Sequence, residues 1–190
     1  MNPPTVLHYC IAKFSEKVLD QAIEDYSDPD EWETFRDAGQ RTEDDSSRLP
    51  DLAIVSRVEA DKLLKQTAVF QSPGLLAVEV VSPSSASEDY DEKLKEHQAL
   101  GIPEYWVVDY EGLAAKHIGF PKVPTLTVHQ LVDSKYRAKR FCGDDRIISP
   151  TFQNLNLTAK QVFAAGQQRR GRDTIGVVTN DLCSGTATND

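Results

Sequence analysis

Three charged residues, Glu79, Asp51 and Lys93, sit where a charge is costly, and the two carboxylates among them could converge on one hard cation. Glu79 interrupts the apolar run LLAVEVV, and in a strand it shares a face with Leu75, Ala77 and Val81. A carboxylate buried there must meet a cation, meet a metal or be protonated, because an unpaired buried charge costs several kcal/mol. Asp51 follows Pro50 at the start of the apolar run LAIV. Paired with Glu79 across neighbouring strands, it could share one hard cation, since carboxylate oxygens are the ligands that magnesium and calcium select. Lys93 lies on one helical stripe with Tyr90, Leu94 and His97, whereas Lys95 falls on the opposite side. That stripe should face the sheet. Each residue also has a plainer reading: an internal ion pair for Glu79, a turn acid for Asp51, and a lysine snorkelling along an apolar stripe for Lys93.

The elements that must hold these residues follow from periodicity. From Thr5 to about Ile23 the residues Val6, Leu7, Ile11, Phe14, Val18, Leu19 and Ile23 recur at steps of three and four, which predicts an amphipathic helix. The acidic stretch after it predicts a weak strand around Trp32 and Phe35 and then a mobile loop. Leu52 to Val55 and Leu75 to Val81 are short, β-branched and bounded by proline, glycine and serine, as buried strands are. A short helix is expected from about Ala60 to Lys65. A longer one should run from Glu88 to Leu100, capped by Ser87 and ended by Gly101 and Pro103. A buried strand, Tyr105 to Val108, follows. Segments around Lys116 to Ile118, Leu126 to Leu131 and Tyr136 to Phe141 alternate and predict an antiparallel extension of the sheet. A last helix, Thr158 to Ala165 with Thr158 as its cap, precedes residues 166–190, which lose periodicity and are expected to form a flexible tail. The expectation is one α/β domain over residues 1–165: a mixed sheet flanked by helices.

Composition narrows the function. The 190 residues suit one core, and no apolar run approaches the roughly 20 residues of a membrane helix. The start, MNPPTVLHYC, lacks a secretory pattern, so a cytoplasmic protein is expected. Cys10, Cys142 and Cys183 are scattered without zinc-site spacing and are expected to be reduced thiols. A formal net charge of -9 argues against a uniformly cationic surface for nucleic acid. The charge is unevenly spread, however: acids gather between Glu24 and Asp45, while Lys135, Arg137, Lys139 and Arg140 form a basic run. That run could touch phosphates, or it could simply protect a sheet edge from aggregation. Ser82 and Ser84, beside Glu79, are explained by a turn and a cap.

In order and spacing, the blocks Arg48-Leu49-Pro50-Asp51-Leu52, Val78-Glu79-Val80-Val81-Ser82-Pro83-Ser84, Asp89 with Lys93, and Gly101-Ile102-Pro103-Glu104-Tyr105-Trp106-Val107-Val108-Asp109 resemble the Uma-two family of small restriction endonucleases. That family has the PD-(D/E)XK nuclease fold. The resemblance, weaker toward its limits at His8 and Phe163, implies a restriction-endonuclease-like domain acting on DNA. It implies a divalent metal, Mg2+ or alternatively Mn2+, held by Asp51, Glu79 and the backbone carbonyl of Val80, with Lys93 acting on water. In the common nuclease pattern the lysine lies two residues after the acid, where this chain has Val81. The family pattern supplies it from the next helix, where Lys93 stands. The family also carries an N-terminal hairpin with a glutamate ahead of the first helix; here the sequence opens almost at that helix, which sets up the alternative of a weak or inactive nuclease fold that binds nucleic acid or a protein partner. His8 matches a family histidine, and a solvent-facing helix-end histidine is the alternative. A homo-oligomer is compatible with all of these readings.

Overall fold

The computed structural model describes residues 4–26, 28–43, 46–83 and 85–167. Ser84, Cys183 and residues 168–190, most of the expected tail, lie outside them. The elements in chain order are α1 (Val6–Glu24), β1 (Trp32–Phe35), β2 (Gly39–Glu43), β3 (Ser46–Arg48), β4 (Leu52–Ser56), α2 (Arg57–Lys62) and β5 (Val69–Phe70). They continue with β6 (Leu76–Val80), α3 (Ala86–Tyr90), α4 (Glu92–Leu100), β7 (Glu104–Asp109), α5 (Ala115–Ile118), β8 (Thr125–Val132), β9 (Lys135–Phe141) and α6 (Ala159–Gln167).

The main sheet has six strands in the order β1-β4-β6-β7-β8-β9. Only β6 and β7 run parallel, joined by the α3–α4 crossover, and the other neighbours are antiparallel. The fold is therefore a mixed α/β sheet flanked by helices, with β8 and β9 as the antiparallel extension. The central strands β6 and β7 are buried along their whole length, which is why they read as continuous apolar runs instead of alternating ones.

Side chains alternate between two cores. Leu52, Ile54, Leu76, Val78, Val80, Trp106, Val108, Leu126 and Val128 face α1 and α6, where Ile11, Leu19, Val162 and Phe163 complete the larger cluster. The other face carries Ala77, Val81, Tyr105 and Val107 beneath Tyr90 and Leu94 of the crossover helices. Each such Leu, Ile or Val, fully buried, contributes on the order of 1.5–3 kcal/mol. Thr5 caps α1 by accepting from the His8 amide. Gly101, at φ 80°, ends α4 in the left-handed conformation that glycine adopts without strain. A Cβ on Gly74 would come within 2.8 Å of the Ile54 carbonyl oxygen, so the turn into β6 needs a glycine.

Four expectations need correction. The loop after Phe35 contains β2 and β3, which pair antiparallel and join β5 in a second, three-stranded sheet. Gln40 anchors it from a buried position, donating to the Phe70 and Ser72 carbonyls and accepting from the Gly74 amide. The segment at Lys116 to Ile118 is a helical turn, not a strand. The helix predicted from Glu88 is interrupted at Asp91, and its first part starts after Ser85, so Ser87 lies inside the helix. Finally, Cys10 is a free thiol but Cys142 is disulfide-bonded.

Two further acids of the GIPEYWVVD block are structural. Glu104 is fully buried and accepts from Trp106 Nε1, Ser149 Oγ and the Thr151 amide, tying β7 to the segment before α6. Asp109 accepts from the Leu113 and Ala114 amides and shapes the turn after β7.

Candidate active site

Because β4 and β6 pair antiparallel with Leu52 opposite Val78, continuing the ladder by one residue sets Asp51 opposite Glu79. Asp51 accepts from the Val80 amide through Oδ2 at 2.7 Å, and its Oδ1 lies 2.8 Å from His8 Nε2. His8 is 5% exposed, so it is a buried partner of Asp51 and not a solvent-facing helix end. It reaches the site because Thr5 starts α1 at the same end of the sheet. Val80 thus enters the site through its amide.

Glu79 points to the α3–α4 face. Its Oε2 lies 2.9 Å from Lys93 Nζ, while Oε1 is buried without a hydrogen-bond partner. Lys93 is also ion-paired at 2.8 Å with Asp89 Oδ1, and Asp89 Oδ2 accepts from Ser85 Oγ at 2.7 Å. The Asp89 side chain is fully buried, that of Glu79 is 3% exposed and that of Lys93 15%. The helix phase agrees with the stripe read from sequence: Tyr90 and His97 are buried and Lys95 is exposed.

Electrostatics follow from this crowding of acids in a dry place. Burial pushes the Glu79 carboxyl well above its ordinary range, with Asp51 and Asp89 adding to the effect and Lys93 opposing it. Asp89 is raised as well, first by burial, against the pull of Lys93 and the Ser85 hydrogen bond. Burial alone would lower Lys93, but the charges of Glu79 and Asp89 overcome it and hold the ammonium above its usual pKa. His97, buried beneath the same helix with neither ring nitrogen hydrogen-bonded, is lowered to about 4 by burial and by Lys93.

The second sheet braces the helix that carries Lys93. Arg48 on β3 grips Glu96 with two hydrogen bonds, at 2.5 and 2.8 Å, and donates to Glu88 at 2.6 Å. The fork geometry matches a carboxylate and holds Glu96 below its ordinary pKa. Asp89 is the site residue that sequence reading did not assign a role. Its signal was present, for it stands four residues before Lys93 and so on the same helical face.

Among the described residues, no group of three or more His, Cys, Asp or Glu side chains is arranged to hold a metal ion. Asp51 and Glu79 nonetheless fit a hard cation. Both donors are oxygen, the unpartnered Glu79 Oε1 needs a positive neighbour, and magnesium ordinarily takes one or two carboxylates with waters completing its shell. The basic run divides between the two faces of the sheet. Lys135, Arg137 and Lys139 pair with Val132, Gln130 and Val128 on the α1–α6 side, whereas Arg140 belongs to the row Glu79, Val107, Thr127, Arg140.

A mixed six-stranded sheet flanked by helices, with one parallel pair joined by a helical crossover, is the architecture of the restriction-endonuclease-like class of α/β domains. The chain belongs to the Uma2 family: the family model described as "Putative restriction endonuclease" matches residues 1–160. Among solved structures it is similar to "a putative nuclease belonging to DUF820" from Anabaena variabilis ATCC 29413. That likeness has a TM-score of 0.65 at 17% identity and covers 87% of this chain and 84% of the other. None of the curated proteins matches the chain. The family model carries the restriction-endonuclease description, and the solved structure supports the fold.

Proposed function

We propose that this protein is a metal-dependent DNA endonuclease of the cytoplasm whose site consists of Asp51, Glu79 and Lys93. The observation that carries the reading is the backbone register at one end of the central strands, which when continued by one residue sets Asp51 opposite Glu79, together with Lys93 Nζ 2.9 Å from the Glu79 carboxylate. Asp51 and Glu79, with the Val80 carbonyl, would hold Mg2+ or Mn2+. When bound, such an ion polarises a phosphodiester oxygen and lowers the pKa of a coordinated water.

The chain's own groups do the rest. His8 and the Val80 amide fix the orientation of the Asp51 carboxylate. Lys93 presents its ammonium beside Glu79, where it can hydrogen-bond the attacking water and stabilise charge developing on the phosphoryl oxygens. The packed helices keep the site poor in water, which strengthens each of these interactions.

One observation favours a second reading, a nuclease-fold protein that binds without cutting: both Asp51 oxygens are engaged, and Glu79 is almost closed to solvent. Calorimetric titration with Mn2+ separates the two. Binding by the wild-type protein that weakens by more than about 100-fold in Asp51→Asn and in Glu79→Gln, beyond the 10–100-fold typical of outer-shell changes, supports the endonuclease reading. Equal binding by folded variants and wild type, or no binding at all, sinks the metal assignment.

A further inference from the structure

We infer that Asp89 is a positioning residue dedicated to Lys93, holding its ammonium beside Glu79 when the Glu79 charge is occupied by a cation. This deepens the endonuclease reading and rests on it. A lysine ammonium is a point charge on a flexible four-carbon stem with three rotatable donors, so a single partner fixes it poorly. A divalent ion at Asp51 and Glu79 would compete for the Glu79 carboxylate and repel the ammonium. Glu79 alone cannot therefore keep Lys93 in place during the step that needs it.

Asp89 has the geometry to do so. Its Oδ1 lies 2.8 Å from Lys93 Nζ, and the pair is one helical turn apart across the break at Asp91. Its other oxygen is already committed, accepting from Ser85 Oγ at 2.7 Å. Ser85 is fixed in turn by the Ser82 amide, which donates to its hydroxyl oxygen at 3.0 Å. The backbone of Asp89 is pinned as well, since Tyr105 donates its phenolic hydrogen to the Asp89 carbonyl at 2.9 Å. These contacts fix the backbone and one carboxylate oxygen of Asp89, which leaves the other oxygen 2.8 Å from the ammonium as an ion pair. Asp89 is also fully buried, so its charge has no competing use in water.

The experiment uses the full chain and two readouts. The first requires neither metal nor activity: nuclear magnetic resonance of the 15N-labelled lysine ammonium groups, in which an immobilised Lys93 gives a slowly exchanging signal. Glu79→Gln removes the charge that a bound cation would engage. The signal should persist in Glu79→Gln and in Asp89→Asn, and disappear only when both changes are combined. Loss in Glu79→Gln alone, or survival in the folded double variant, overturns the inference. The second readout is a double-mutant cycle on cleavage: Asp89→Asn should lower kcat by about 10–100-fold with KM unchanged, and should have no further effect in a Lys93→Met background. An equal loss in both backgrounds shows that Asp89 acts independently of Lys93 and overturns the inference. A wild type that cuts nothing defeats the endonuclease reading, and the resonance result then decides the positioning role by itself.

Discussion

Replacing Lys93 with methionine keeps most of the apolar stem and deletes the ammonium that two buried carboxylates share. Glu79 and Asp89 are 3% and 0% exposed, so water cannot take the place of the lost partner. Breaking a buried ion pair from one side typically costs about 3–5 kcal/mol, which for a domain of this size is roughly 6–20 °C in Tm. The loss should depend on pH with a definite sign. Both carboxyls have folded-state pKa values raised above their ordinary ones, and removing Lys93 raises them further. A group of that kind favours the folded state at low pH and loses its contribution as pH rises through the folded-state value. The deficit of Lys93→Met should accordingly be largest near pH 8 and shrink as the acids protonate, and adding Glu79→Gln should recover part of it at about pH 8. Urea unfolding of the wild type and both variants across this range provides the assay. A variant within about 1 kcal/mol of wild type at the alkaline end, or a deficit that does not change with pH, would refute the picture of one ammonium serving two buried acids.

Two other outcomes follow from the same geometry. His97 is buried neutral, with its pKa lowered from 6.5 to about 4. At 1.36 kcal/mol per unit its neutral form supports roughly 3 kcal/mol of stability, present above 6.5 and lost as pH falls toward 4. Unfolding curves for His97→Leu should show a flatter acid limb, and an unchanged slope would contradict the burial argument. His8→Ala removes the partner of Asp51 Oδ1 and should weaken Mn2+ binding by about 10–100-fold, the usual cost of losing an outer-shell contact; calorimetry reads it, and unaltered affinity would show that Asp51 needs no such support.

The parts of this structure that were legible in sequence are those governed by local burial. β4, β6 and β7 are largely apolar at successive positions, Glu79 apart in β6 and the end residues Glu104 and Asp109 in β7, because both sheet faces are covered, and α1 shows its stripe because one side packs on the sheet. Glu79 and Lys93 stood out because a charge in such surroundings needs an explanation. The second sheet was not legible. Gly39 to Glu43 is polar, and Gln40 is buried only because three backbone groups, distant in sequence, satisfy its amide. His8 was ambiguous for a similar reason, since its partner Asp51 lies 43 residues away. Asp89 carried a signal in its place four residues before Lys93, but an acid at the start of a helix is also an ordinary capping residue, and its burial against Lys93 shows only in the fold. The basic run was read as one feature, but the strand alternation splits it between two faces.

The most direct test of the proposed site is a nicking assay with purified full-length protein on supercoiled, linear and single-stranded DNA, in Mg2+ and in Mn2+, against folded Asp51→Asn, Glu79→Gln and Lys93→Met. The wild type should cut in a metal-dependent manner. Both amide variants should be silent, and Lys93→Met should be slower by about 10²–10³-fold, the usual cost of deleting a group that stabilises developing charge. An inert wild type on every DNA form, or amide variants that cut as fast as wild type, would contradict the assignment of Asp51, Glu79 and Lys93 as the catalytic site.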